Sequence, residues 1–144
     1  MSLQRINQPV IADGQPMRLV SIPASAGFPS PAADDLEDEI DPIAWMVRRP
    51  TSTFWWRVSG SSLNDLGILD GDLIAVDRDG KRRVGRAVVA VVDGAPVAKI
   101  LRKRDGRYYL ASANTIEGYP DIELTPDSEI WGVIAGVVRR YDLE

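Results

Sequence analysis

The rhythm of hydrophobic and polar positions changes near residue 50. From there on, short apolar runs alternate with polar turns, at 53–58, 72–76, 86–92, 97–101, 108–111 and 130–138. β-Branched and aromatic residues dominate these runs, so each predicts a strand. Asp-Gly pairs at Asp70-Gly71, Asp79-Gly80, Asp93-Gly94 and Asp105-Gly106 punctuate them, as tight turns require. The runs at 86–92 and 130–138 are apolar at successive positions, which predicts central strands buried on both faces.

Upstream the pattern is different. Five of the ten prolines (Pro9, Pro16, Pro23, Pro29 and Pro31) fall within residues 1–31. They disfavour helix and leave extended segments, with a short strand at 18–22. An acidic stretch at 34–41 reads as solvated surface. Asp41-Pro42 has the form of an N-cap and first helical position, predicting a short helix through Val47 that ends before Pro50. The expected fold is mainly β: a compact, mostly antiparallel domain at 32–144 with one short helix, preceded by a flexible, extended N-terminal arm at 1–31.

Composition narrows the chemistry. The 144 residues, 44% apolar and 26% charged, suit one soluble globular domain. There is no cysteine and no histidine. Thiol nucleophiles, Ser-His-Asp triads and Cys- or His-built metal sites are therefore excluded, and no metal or cofactor is expected. Acid–base work falls to Lys, Asp, Glu or Tyr. A net charge of -4 argues against gripping nucleic acid over a broad face. Arg102-Lys103-Arg104 reads as a solvated strand end or a small contact patch. No apolar run approaches the roughly 20 residues of a membrane span, and the N-terminus lacks a signal-peptide core. The expected location is the cytoplasm.

Three segments carry candidate chemistry. In Val58-Ser59-Gly60-Ser61-Ser62-Leu63 a strand runs into a Gly-Ser turn, which suits either an attacking serine with nearby amides or an ordinary capping turn. Lys99 shares a strand face with Val97 and Leu101, so its ammonium is either desolvated among apolar side chains, which lowers its pKa, or snorkels to water. Ala24-Ser25-Ala26-Gly27, with small residues followed by Pro29, suits docking as an added strand or serves only as a linker.

Together these segments resemble the LexA/UmuD family of self-cleaving Ser/Lys peptidases. Residues 26–34 are similar to the cleavage region of its UmuD-type members, and Gly60-Ser61-Ser62-Leu63 resembles its Gly-x-Ser-Met nucleophile motif. The stretches 70–73 and 89–94 resemble the strands that follow, Lys99 falls where the family places its catalytic lysine, and Trp131-Gly132-Val133-Ile134 fits the last strand. The resemblance covers residues 18–140. Leu63 stands in place of the usual Met, a volume-conserving exchange. The stretch before Ala26 is too short for a DNA-binding helix-turn-helix, which selects the UmuD type and implies no direct sequence-specific DNA binding.

The resemblance implies a LexA/signal-peptidase-like β fold with Ser62 as nucleophile, Lys99 as base, and a cut between Ala26 and Gly27. It also implies a RecA filament on single-stranded DNA as trigger. The trimmed product would join a UmuC-like Y-family polymerase in translesion synthesis during the SOS response. The protein is expected to act as a homodimer, with the apolar C-terminal strand and Trp131 as a candidate interface. Two alternatives are a Ser/Lys protease acting in trans and a non-catalytic dimeric binding module.

Overall fold

The computed structural model describes residues 2–9, 17–20 and 36–142, with side chains for Leu3 and from Glu39 onward. Eight strands form one antiparallel sheet in the order β1-β4-β5-β10-β6-β7-β8-β9. These are β1 (Ser2–Pro9), β4 (Thr53–Ser59), β5 (Leu73–Asp77), β6 (Ala87–Val92), β7 (Ala95–Arg104), β8 (Arg107–Ala111), β9 (Ile122–Glu123) and β10 (Glu129–Val138). A separate ribbon pairs β2 (Met17–Val20) with β3 (Leu36–Ile40). All six predicted strands of the domain are present. The two unbroken apolar runs, β6 and β10, are adjacent in the middle of the sheet.

Alternation explains how β6 and β7 bury both faces. Val89, Ala98 and Ile100 enter one apolar cluster, with Trp56, Val58, Leu63, Ile74, Val76 and Trp131. Val88, Ala90 and Leu101 enter a second, with Leu110 and Val133. Asp93-Gly94 and Asp105-Gly106 close the β6–β7 and β7–β8 hairpins with positive φ at both residues, the type I′ geometry whose twist matches paired strands. Asp79-Gly80 is different. Gly80 is buried against Val133, where an added Cβ would lie 2.9 Å from the valine Cβ.

The helix forms as its N-terminal signal requires. In α1 (Pro42–Met46) the Asp41 carboxylate accepts from the Ala44 N–H at 3.0 Å. Met46 lies over Gly136, where a side chain on β10 would collide with it. The acidic stretch read as surface also contributes β3, paired with β2, and its Glu39 is exposed. Trp131 is a correction. It offers no interface, because it is buried edge-to-face against Phe54 and Trp56, with Arg78 over its ring. The exposed apolar side chains nearby are Trp45, Val137, Val138 and Tyr141. Arg102, Lys103 and Arg104 form an exposed strand end, where Arg104 pairs with Asp121.

Asp72, 1% exposed, ties the two ends of this architecture together. It accepts from Arg139 at 2.6 and 2.7 Å, beyond the end of β10, and from the Leu69 N–H at 2.7 Å. The Arg139 hydrogen bond, against the cost of burial, holds its carboxyl below the usual carboxylate range. A depressed carboxylate contributes stability above the unfolded pKa of ~3.9 and loses it as pH falls through the folded value. Asp72→Asn is expected to cost about 2 kcal/mol at pH 7, because Arg139 remains partly solvated. Urea melts from pH 7 to 2 check this, since the gap between wild type and variant is expected to close in acid.

Candidate active site

The turn after β4 is built so that Ser62 faces inward. Gly60, at φ 100°, takes the chain out of the strand, and its N–H donates to the Asp70 carboxylate at 2.8 Å. Only glycine adopts that φ without strain. Leu63 is fully buried and anchors the turn, which continues as a 3-10 turn over Asn64–Leu66. Ser62 is itself 0% exposed, and its Oγ lies 3.4 Å from the Ala98 carbonyl oxygen on β7. Its backbone N–H donates to none of the described residues.

Lys99 follows Ala98 on the same strand and is 5% exposed, so it is buried and does not snorkel. Its Nζ donates to Ser112 Oγ at 2.9 Å and stands 5.2 Å from the centre of the Tyr119 ring. Burial pushes its pKa below that of a free lysine. Lysine is rarely buried without an ionic partner, and no carboxylate among the described residues pairs with Lys99. A neutral amine at this position is a competent proton acceptor.

The segment after β8 binds the two strands into one site. Ala113 donates its N–H to the Ser62 carbonyl at 2.7 Å, and Asp65 donates to the Ala113 carbonyl at 2.8 Å. Asn114 Nδ2 donates to the Ser61 carbonyl at 2.8 Å, and Thr115 N–H donates to the Asp65 carboxylate. The Ser61 hydroxyl is engaged with Tyr119 OH at 2.8 Å, and Tyr119 also reaches Glu117. The two neighbouring serines thus differ in surroundings: Ser61 belongs to the Tyr119 network, whereas Ser62 Oγ lies at the strand that carries Lys99. No hydrogen bond links Ser62 Oγ to Lys99 Nζ; Ser62 reaches Ala98 on β7 through Oγ and Ala113 through its carbonyl, and Lys99 Nζ reaches Ser112. The expected cleavage bond, Ala26–Gly27, lies outside the described residues.

Ser112, Asn114 and Tyr119 were not singled out by sequence reasoning. Asn114 carries a local turn signal, since its side chain accepts from the N–H groups of Ile116 and Glu117. Its bond to Ser61 is long-range and leaves no local mark. Among the described residues no group of His, Cys, Asp and Glu side chains is placed to hold a metal. No helix among them is long and apolar enough to cross a membrane. A cavity of about 780 Å³ lies elsewhere, against Trp45, Arg48, Arg49, Lys81 and Arg86.

Because the Lys99 pKa is lowered on folding, the unfolded chain binds more protons between the folded and unfolded values. Stability therefore rises with pH across that window. Lys99→Met is expected to stabilise the fold at pH 7, by an amount that shrinks toward pH 10. Denaturant titrations at both pH values check this, and NMR titration of the Lys99 Cε resonance reads the lowered pKa directly.

Comparison with known proteins finds relatives over most of the chain. The family described as Peptidase S24-like matches residues 18–135. The chain is 38% identical to Protein ImpA of Salmonella typhimurium over 119 residues, 80% of this chain and 78% of that one. It is 40% identical to Protein MucA of Escherichia coli over 113 residues, 76% of this chain and 75% of that one. It is also 36% identical to the LexA repressor of Shewanella loihica over 121 residues, 82% of this chain and 58% of the repressor. A family match over residues 18–135, with relatives 38–40% identical over three-quarters or more of the chain, places this chain in the Peptidase S24-like family.

Proposed function

We propose that the chain is a self-cleaving serine peptidase of the UmuD type, in which Ser62 and Lys99 cut the chain's own Ala26–Gly27 bond. The observation that carries this reading is the buried Lys99 amine, without an ionic partner among the described residues, on the strand that also touches Ser62 Oγ. Neutral Lys99 takes the Ser62 hydroxyl proton as Oγ attacks the Ala26 carbonyl carbon. The Ser62 N–H, which donates to none of the described residues, is positioned on the attacking residue to steady the oxyanion. Lys99 then passes the proton to the departing Gly27 amine. Water attacks the acyl-enzyme and releases the Ala26 carboxylate and free Ser62.

Ser112 supports this role by accepting from Lys99 Nζ, which fixes the amine's direction. Tethering replaces a bimolecular encounter with a high effective concentration, so a modest base is sufficient.

The relatives named ImpA, MucA and LexA repressor support placing this activity in SOS mutagenesis. In that reading a RecA filament on single-stranded DNA triggers the cut in the cytoplasm. The product from Gly27 onward becomes an accessory subunit of a UmuC-like Y-family polymerase. The exposed Trp45, Val137, Val138 and Tyr141 offer apolar surface for the homodimer.

Incubation of the purified chain near pH 10, close to the free lysine pKa of ~10.4, tests the reading by intact mass. Fragments 1–26 and 27–144 are expected, at a rate independent of protein concentration. Ser62→Ala and Lys99→Ala are each expected to slow cleavage by roughly a thousandfold or more. The rate is expected to rise with pH as Lys99 deprotonates and to level off above its lowered pKa. Cleavage of either variant at the rate of the unaltered chain overturns the dyad, and cleavage of added substrates alone favours a protease acting in trans.

A further inference from the structure

Two strand edges meet beside Ser62. β4, which runs into the Ser62 turn, has β5 along one edge and β1 along the other. β7 is paired with β6 over Ala95–Ile100, but β8 pairs with it only from Ile100 onward. Residues 95–99 of β7 therefore have one edge that β8 does not cover. β1 approaches β7 as well as pairing with β4, so it lies in the seam between the strand leading to Ser62 and the strand carrying Lys99. Its register sets Ser2 opposite Ser59 and Leu3 opposite Val58, which brings the start of the chain nearest the Ser62 turn. Leu3 is half-buried against the cluster containing Leu63 and Ala98, the immediate neighbours of Ser62 and Lys99.

A bond attacked by a serine at a strand end is best presented by an extended segment. Pairing with a strand edge holds a flexible backbone at attack distance, and small side chains let it come close. The β4 edge that is not occupied by β5 is the one in this seam. We propose that the seam between β4 and β7 is the docking groove for the segment containing Ala26–Gly27. β1 is its resident strand, which must leave before that segment enters. The chain's first strand then competes with its own cleavage site, and this inference rests on the proposed cut at that bond.

β1 is suited to the role because its pairing with β4 is irregular. Its register with β4 breaks between Arg5 and Pro9. Ordering an eight-residue strand also costs backbone entropy, which its release regains. Both competitors are tethered to the same domain, so neither gains from concentration. A partner that captures β1, or that strengthens docking of the cleavage segment, shifts the balance by its differential affinity for the two arrangements.

Two measurements on the full chain test this. In the first, Leu3→Asp is expected to raise the self-cleavage rate near pH 10 by roughly tenfold or more, since a charge in place of a half-buried leucine favours release of β1. An added peptide with the sequence of residues 2–9 is expected to slow that variant again. An unchanged or lower rate in Leu3→Asp overturns the proposal. In the second, hydrogen exchange is followed in Ser62→Ala, which cannot cut, with and without an excess of a peptide of residues 20–31. Loss of protection in β1 while β4 stays protected supports competition for the seam, and unchanged protection in β1 overturns it. If neither the wild type nor Leu3→Asp cuts itself, the proposed self-cleavage fails. The exchange result then still decides whether β1 and the 20–31 segment exclude one another.

Discussion

Keeping an ammonium group out of water is the constraint around which this molecule is arranged. Lys99 sits in β7 between β6 on one side and the 112–119 segment on the other, 5% exposed and without an ionic partner among the described residues. A buried lysine lowers its pKa to avoid carrying charge in a poor dielectric. The fold accepts that cost at one residue and surrounds it with contacts that favour an ordered amine: the Ser112 hydroxyl and the face of Tyr119. The rest of the site is defined by reference to that amine. Ser62 is significant because its hydroxyl lies at the preceding carbonyl of the same strand.

The strands that flank Lys99 must be rigid for such a placement to persist. Continuous apolar runs in β6 and in the first half of β10 place two strands at the centre of the sheet, where residues 88–90 and 131–133 are buried and Val137 and Val138 at the far end of β10 are exposed. Arg82 adds a backbone clamp, donating to the carbonyls of Arg78, Gly80, Ile130 and Trp131 and so fastening the basic loop to the start of β10. Asp72 and Arg139 do the same at the opposite end of β10. Charged side chains here join distant stretches of chain, and their hydrogen bonds matter more than their number.

The edge of the same sheet is the adjustable part. β4 ends at the Ser62 turn, and its outer edge pairs with β1, a strand from the extreme N-terminus. A strand edge accepts any segment that offers matching backbone groups, so occupancy depends on small differences in side-chain burial and tethering. Rigid centre and exchangeable edge meet at Ser62, one residue from the buried anchor Leu63.

The sequence by itself determined the local pieces. Asp41-Pro42 specified a capped helix, Asp93-Gly94 and Asp105-Gly106 specified hairpins, and the β-branched runs specified the six strands of the domain, because each signal is complete within a few residues. The absence of His and Cys, with the Gly-Ser-Ser-Leu turn and Lys99, also made the candidate residues legible. Tertiary structure decided what depends on contacts between residues far apart. Only the folded sheet shows that Lys99 is buried and does not snorkel, since a strand's own pattern does not say whether its end is covered. Only it engages Ser61 with Tyr119 and sets Ser62 against β7, choices made by the 112–119 segment some fifty residues downstream. It also turned Trp131 inward against Phe54 and Trp56, and it brought β1 to the edge of β4. Pairing of strands is set by which backbone edges remain free after the core has packed, and that information belongs to the whole fold.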